Sequence, residues 1–295
     1  MKNRMLCGMN YSYRWTEKVR FYFSYLFYKV LIPLEVLNPR WKMWAYEWRY
    51  SLRKFVDYSC CLPWEGDESL IETRFGRFRV RLNTADAANV SPAFERLDVN
   101  QLLGLLEQST RAGESVLFLD VGGDIGTYSV TVANRFGSKV DVHCFEPIPP
   151  SAELIRENLS LNGLDSFVQI HAVALSDQTE SRIEICLDDA APGSSSAFGE
   201  GTAFDVPSER LDVLLKNQWV HYDTVILKLD VEGMETQVLR GCEGLLRSGC
   251  RVELMVEDFL DHSVLDYLVQ RGWEFKAKRT DYNSWWSYRE RMEYE

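Results

Sequence analysis

The sequence predicts an α/β protein with a mostly parallel sheet covered by helices on both faces. Three observations carry that prediction. From residue 113 onward, short apolar runs alternate with helix-length amphipathic segments, the pattern of repeated strand–helix–strand units. One of those runs, "LFLDVGGDIG" (117–126), ends in an acid and a glycine-rich turn that opens directly into a helical pattern. The first sixty-five residues break from this alternation and read as an aromatic-rich helical extension.

Residues 1–65 are basic and aromatic. Trp41, Trp44, Trp48, Leu52 and Phe55 recur at spacings of three and four, one face of a helix. Two readings stay open. The face packs on the main domain or on a second copy of the chain, giving a homo-oligomer. Alternatively, residues 1–60 form a peripheral membrane contact, with Trp and Tyr at the interface and Lys and Arg toward anionic lipid. The apolar stretch before this helix is broken by Lys29 and Pro33 and lacks a small-residue cleavage site. It therefore reads as neither a secretory leader nor a bilayer span.

Residues 66–112 lead into the core. "LIETRFGRFRVRLN" (70–83) predicts a hairpin around Gly76, with Phe75, Phe78, Val80 and Leu82 apolar. Residues 91–109 predict a helix with Ser91 as N-cap, Pro92 at the first position, and Phe94, Leu97, Leu102 and Leu105 apolar.

Residues 113–295 supply the main domain. Strands are predicted at 115–120, 139–146, 167–174, 181–187, 223–230, 251–258 and 273–278. Helices are predicted at 127–136, 151–163, 234–249 and 261–271, the second opened by Ser151 and closed by Gly163. Asn158 and Asn162 near that helix's end read as helix-ending residues. The stretch 187–207 is rich in small residues and reads as a lid over a site or as a loop without a role. Parallel sheets bind ligands at the carboxyl ends of their strands. That rule places Asp120, Glu146, the segment around Ala174, Asp230 and Glu257 along one rim.

Composition narrows the function. Residues 1–60 hold eleven basic and four acidic side chains, a net of +7; the whole chain carries −11, which leaves −18 on the remainder. An acidic body argues against nucleic acid as a partner, since phosphate binding needs Lys and Arg. The seven cysteines form no C-x-x-C pair and the four histidines lack ligand spacing, so no metal site is assigned and reduced thiols in the cytoplasm are expected.

The glycine turn then selects its ligand. A dinucleotide fingerprint needs G-x-G-x-x-G; Gly123 and Gly126 fit its last two positions, but Val121 stands at the first. The pattern present is D-x-G-x-x-x-G, from Asp120, Gly122 and Gly126. Asp120 ends the strand and Asp124 lies inside the loop, where a pyrophosphate would meet like charge at a cost of about 1–4 kcal/mol at contact distance. S-adenosylmethionine suits the place better. Its ammonium and sulfonium favour acidic surroundings, and its carboxylate suits the free N–H groups of a helix start. Glu146, ending the next strand twenty residues beyond Gly126, is placed to accept both ribose hydroxyls. The cofactor-binding candidates are Asp120, Gly122, Gly123, Asp124, Gly126, Glu146 and Ala174.

"FLDVGGDIGTYSV", "CFEPIPPSAELIRENLSLNG" and "ILKLDVEGMETQVLRG", in that order, resemble the FkbM family of S-adenosylmethionine-dependent methyltransferases over roughly residues 70–280. The resemblance implies a class I methyltransferase (Rossmann-like) fold with a seven-stranded sheet. It also implies O-methylation of a hydroxyl on a sugar, glycan or related small-molecule acceptor. Family members commonly carry Ala-Asn where this chain has Gly123 and Asp124, and the first sixty residues lie outside the shared domain.

Methyl transfer asks the protein to align the acceptor and exclude water, and an alcohol acceptor gains from a base. "KLDVEG" (228–233) ends a strand beside the expected cofactor site. Asp230 is the first candidate for base or positioning group, against the alternative that it caps the helix near Met234. Glu232 is the second. Lys228 either orients these carboxylates or binds an acidic substrate. Glu257 and Asp258 end another strand on the same rim, and His262 follows them. Two competing functions remain: a nicotinamide-dependent oxidoreductase on a similar sheet, and a binding or scaffold protein that has kept the fold without turnover.

Overall fold

The computed structural model describes residues 62–64, 67–82, 84, 86–90, 95–187, 192–198, 201–216, 218–258, 260–280 and 282–289. The predicted aromatic helix at 41–58, the membrane reading of residues 1–60, and the capping pair Ser91 and Pro92 lie outside them. The described residues form two compact units, divided between Phe94 and Glu95.

The first unit is an antiparallel meander of β1 (Leu62–Trp64), β2 (Asp67–Thr73) and β3 (Gly76–Arg79), followed by a single helical turn, α1 (Asp86–Asn89). The hairpin around Gly76 is therefore present, and Phe75, Phe78 and Val80 are buried. Asp86 is buried as well. Its carboxylate accepts the Arg81 amide and the Arg81 guanidinium at 2.8–3.0 Å, a fork geometry that only arginine provides.

The second unit opens with α2 (Arg96–Arg111), so this helix belongs with the sheet. It starts five residues later than predicted. Glu95 stands before it at φ 37°, a left-handed residue that helical geometry does not continue through. Next come β4 (Val116–Val121), α3 (Thr127–Phe136), β5 (Asp141–Phe145), α4 (Pro149–Leu161), β6 (Val168–His171), β7 (Ala174–Leu175), β8 (Ser181–Leu187) and β9 (Thr202–Glu209). The chain continues through α5 (Leu211–Leu214), β10 (Thr224–Leu229), α6 (Glu235–Arg240), α7 (Glu243–Leu246), β11 (Arg251–Glu257), α8 (Ser263–Gln270), β12 (Glu274–Lys278) and β13 (Asn283–Tyr288).

Seven strands form the main sheet in the order β12-β13-β11-β10-β4-β5-β6. The run from β11 to β6 is parallel, and β13 pairs antiparallel with both β11 and β12. Every residue of β4 and of β10 is buried, as expected for parallel strands covered on both faces. Leu117, Leu119, Val225, Leu227, Val252 and Leu254 form the centre of the core.

The sequence predicts seven strands, and seven are present, but one member differs. The segment 181–187 is a strand of a separate small sheet, β7-β9-β8, and its place in the main sheet is taken by β13. That strand inserts antiparallel between β11 and β12, and local spacing does not announce such an insertion. Its Trp285 is buried and donates its indole N–H to Asp98 of α2 at 2.6 Å. The predicted strand 167–174 divides between β6 and β7, which join different sheets. The predicted helix 234–249 breaks at Gly241, where a β-carbon would stand 2.1 Å from the Ser176 carbonyl oxygen. The last six residues of the predicted 187–207 loop belong to β9, paired with β8 from Leu187↔Thr202 to Ser181↔Ser208. Pro207 and the largely exposed pattern of β9 had hidden it. Among the described residues, no helix is long and apolar enough to cross a membrane.

Candidate active site

The chain leaves β4 toward β5 and β6 on one side, and later returns through β10 and β11 on the other. The point where strand order reverses lies between β4 and β10, and a crevice forms at the carboxyl ends of such a pair. The glycine turn follows β4, and Asp230 follows β10. Together they begin the site.

The two backbones are nearly in contact. Asp230 donates its amide to the Val121 carbonyl at 3.1 Å. A β-carbon on Gly122 would fall 1.7 Å from the Asp230 carbonyl oxygen, and Gly122 has φ 84°, so only glycine fits. A β-carbon on Gly123 would strike Cys144 Sγ at 2.4 Å, which sets the loop tight on β5. Gly126 is the N-cap of α3 and offers no side chain there. The amides of Thr127 and Tyr128 that follow have no intrahelical acceptor.

The structure moves Asp120 from the mouth of the turn to beneath it. Its side chain is 1% exposed, and one carboxylate oxygen accepts the Ser129 amide (3.0 Å) and hydroxyl (2.6 Å). It thus caps α3 from within, as a fixed anion at a helix start. Register places Lys228 directly across from Asp120 on the neighbouring strand. Lys228 is 4% exposed. Its ammonium donates to the Gly122 carbonyl at 2.6 Å and pairs with Asp230 at 3.2 Å and Asp120 at 3.7 Å. Burial alone would lower the lysine's pKa, but Asp230, Asp120 and Glu95 around it hold it above its ordinary value. Lys228 is therefore an internal clamp. The alternative that it binds an acidic substrate fails, because solvent does not reach it.

Glu146 is 5% exposed and fixed on both sides. It accepts the Asp124 amide and the Ile148 amide, each at 2.9 Å. Both bonds hold its carboxylate, a group with about four acceptor sites, at the edge of the turn. Asp124 sits at φ 47°, a conformation that Asp tolerates better than most residues. The buried Asn158 donates to the Ile125 carbonyl at 2.8 Å. It pins the glycine turn from α4 and does not end its helix as predicted, whereas Asn162 does bond back to the Asn158 carbonyl at 2.7 Å.

The resulting cleft is lined by Gly122, Asp124, Glu146, Ala174, Asp230 and Glu232 among the predicted residues. Gly123, Gly126, Asp120 and Lys228 build it from behind. Pro192, Gly193 and Ser195–Ala197 line the same cleft. That part of the 187–207 segment doubles back on β8 through a two-way backbone pairing of Ser196 with Cys186. Residues 188–191 and 199–200 of it lie outside the described residues.

Beyond Asp230 the rim is acidic. Asp230, Glu232 and Glu257 each bring a carboxylate oxygen within 4.8 Å of the others. Burial, then the charges of Asp230 and Glu232, push the Glu257 carboxyl up to about 10, so it keeps its proton at neutral pH. Glu235 shapes the turn that presents Glu232, accepting the amides of Val231 (3.1 Å) and Gly233 (3.2 Å). Asp258 turns aside to Lys278 at 2.6 Å, and His262 bonds the Asp258 carbonyl at 2.9 Å. Three contributors were missed in sequence: Glu235, Tyr128 and Glu95. Tyr128 donates to Glu95 at 2.5 Å, and Asn283 donates to the other Glu95 oxygen at 2.8 Å. Burial and the nearby Asp230 raise the Glu95 carboxyl to about 7. Glu235 lies in the quoted "KLDVEGMET" motif, where its spacing offered a signal; Glu95 and Asn283 meet only through the fold.

Residues 120–278, more than half of the chain, match the methyltransferase FkbM domain. The chain belongs to the FkbM methyltransferase family. Its cofactor is S-adenosylmethionine. Among solved structures, this FkbM protein is similar to a candidate caffeoyl-CoA O-methyltransferase from Staphylococcus aureus. The two share 13% identity over 70% of this chain and 88% of that one, with a TM-score of 0.44. It is also similar to an RNA methyltransferase from Salinibacter ruber in complex with S-adenosyl-L-homocysteine (13% identity, 67% and 92% covered, TM-score 0.37). A SAM-dependent methyltransferase from Aquifex aeolicus is a third (11% identity, 65% and 89% covered, TM-score 0.38). No curated protein matches the chain significantly.

The residues present suit the family's cofactor. Glycine at three of the turn's five positions brings bare backbone to the cleft beside β10, α3 starts directly behind it, and the Glu146 carboxylate is fixed at the cleft by two backbone amides.

Proposed function

We propose that this FkbM protein methylates a hydroxyl of a sugar, glycan or related natural-product acceptor. One observation carries the reading: Asp230, at the point where strand order reverses, faces the cleft at 28% side-chain exposure while Lys228 holds it from below. Bound S-adenosylmethionine supplies a methyl group already activated on a sulfonium. Glu146 would hold the ribose hydroxyls, Ala174 would line the base side of the cleft, and the turn of Gly122, Gly123, Asp124 and Gly126 would hold the amino-acid end at the start of α3. Asp120 supports that turn through Ser129 and Lys228.

Asp230 takes the proton of the acceptor hydroxyl as its oxygen gains the methyl group. Lys228 aims Asp230 through their 3.2 Å ion pair. Glu232 accepts a hydrogen bond from a neighbouring hydroxyl, and the protonated Glu257 donates rather than accepts. The acidic body disfavours nucleic acid as the acceptor. Cys144, Cys186, Cys242 and Cys250 are free thiols, which supports a cytoplasmic location.

The test is calorimetric titration with S-adenosylmethionine, S-adenosylhomocysteine and NADH, followed by turnover of sugars and glycolipids. Saturable binding of the first two and not the third is expected. Asp230→Ala keeps that binding and loses about 10²–10⁴ in turnover rate, the span of one positioned acid–base group. Binding of NADH alone overturns the reading in favour of an oxidoreductase. Equal rates in wild type and Asp230→Ala remove the assignment of Asp230.

A further inference from the structure

Two apolar side chains stand at the Glu232 end of the cleft with little to bury them. Phe198 is 73% exposed and Leu260 is 53% exposed. They arrive on separate loops and converge on Gly233. A β-carbon built on Gly233 would lie 3.4 Å from Phe198 Cδ2, 3.5 Å from Cε2 and 4.0 Å from Leu260 Cβ. The ring thus rests on bare backbone with its outer face in water. The neighbours of both partners line the cleft: Glu232 and Met234 flank Gly233, and Ser196 and Ala197 precede Phe198. An exposed apolar pair at a polar cleft marks a contact surface.

The adjoining charges say what the surface receives. Asp230 is paired with Lys228. Glu257 keeps its proton, because burial and the neighbouring acids raise it. Glu232 flanks Gly233 and brings its carboxylate within 4.8 Å of those of Asp230 and Glu257, so the ring stands beside an acidic cluster. Such surroundings accept hydrogen bonds from hydroxyl groups and repel phosphate and carboxylate.

We propose that Phe198 and Leu260, seated over Gly233, form a platform for the apolar ring face of the acceptor, and that with Glu232 they select a neutral polyhydroxylated ring over an anionic one. This rests on the reading of Asp230 as the acceptor-side group. Phe198 is then a specificity residue, and the cofactor half of the cleft does not depend on it.

The experiment is saturation-transfer NMR on the full chain loaded with S-adenosylhomocysteine. The probes are methyl α-D-glucopyranoside, methyl α-D-mannopyranoside and the anionic methyl α-D-glucuronide. Transfer to the ring C–H protons of the neutral glycosides is expected, with little to the glucuronide. Phe198→Ala weakens glycoside binding about tenfold, the scale of one aromatic contact. Phe198→Trp restores it, and S-adenosylhomocysteine affinity stays constant in both variants. Equal transfer to neutral and anionic probes, unchanged transfer in Phe198→Ala, or lost cofactor affinity in that variant each overturns the platform. Absence of S-adenosylhomocysteine binding by wild type fails the cofactor site instead. Cofactor binding without any glycoside contact fails the platform alone.

Discussion

The two halves of the cleft are built from different materials. The glycine half is largely backbone: a turn with glycine at three of five positions, and one carboxylate, Glu146, fixed by the amides of Asp124 and Ile148. The opposite half is side chains: Asp230, Glu232 and Glu257, brought within 4.8 Å by two strands and a turn. A backbone site is encoded by a few adjacent residues, since conformation alone makes it. A side-chain site depends on register between strands far apart in sequence. Lys228 joins the halves, bonding the Gly122 carbonyl on one side and Asp230 on the other.

The largest effect should come from breaking that joint. Lys228→Met leaves Asp120 buried with an uncompensated charge, and loss of about 3–5 kcal/mol is expected in urea unfolding. A variant that keeps wild-type stability would show the two halves to be independent. Gly122→Ala attacks the close approach directly. The new methyl group meets the Asp230 carbonyl at 1.7 Å from a strained φ, and about 3 kcal/mol or more is expected. Retention of cofactor binding in that variant would mean the turn can open away from β10.

Glu146→Gln touches the glycine half alone. It replaces a carboxylate accepting two backbone amides with an amide, and about a tenfold loss of S-adenosylhomocysteine affinity is expected by calorimetry, one charge-assisted hydrogen bond's worth. Unfolding stability should change less than in Lys228→Met. If stability falls more than affinity, Glu146 serves the turn and not the cofactor.

The last effect is conditional on pH. The folded pKa of Glu257 is raised to about 10, from an ordinary value of 4.5. The folded state therefore binds the proton more tightly than the unfolded state. The stability this confers is complete below pH 4.5 and is lost progressively as pH rises toward 10. Glu257→Gln cannot ionise, so its melting temperature should gain on wild type between those values and not below them. Parallel melting curves across that range would show that Glu257 is not held protonated by its neighbours.

Much of the glycine half could be read before folding. Asp120, the three glycines and Glu146 occur in order within one strand–helix–strand unit, and the same residues fall on the cleft or directly behind it. Even there, Asp120 is buried behind the turn and bonded to Ser129, where the strand-end rule places it on the rim. Its burial depends on Ser129 and on Lys228 more than a hundred residues away. The side-chain half was legible only as single candidates on a rim. Asp230 and Glu257 ended predicted strands, but their proximity and the raised pKa that follows required adjacent pairing of β10 with β11.

The strand count shows the same division. Alternating apolar runs gave seven strands, yet 181–187 pairs locally with β9, and "NSWWSY" enters the main sheet instead. The second pairing is long-range and antiparallel, stabilised by Trp285 against Asp98 of α2.

What the sequence by itself determined is the α/β class, the glycine turn, the acid Glu146 that ends at the cleft and the family. Each is written in contiguous residues, because backbone conformation and helix starts obey local rules. Only the tertiary structure decided which strands share a sheet, that Lys228 is a buried clamp, and that Phe198 and Leu260 meet over Gly233. Those outcomes depend on the register between strands and on how loops distant in sequence meet, and neither is encoded locally.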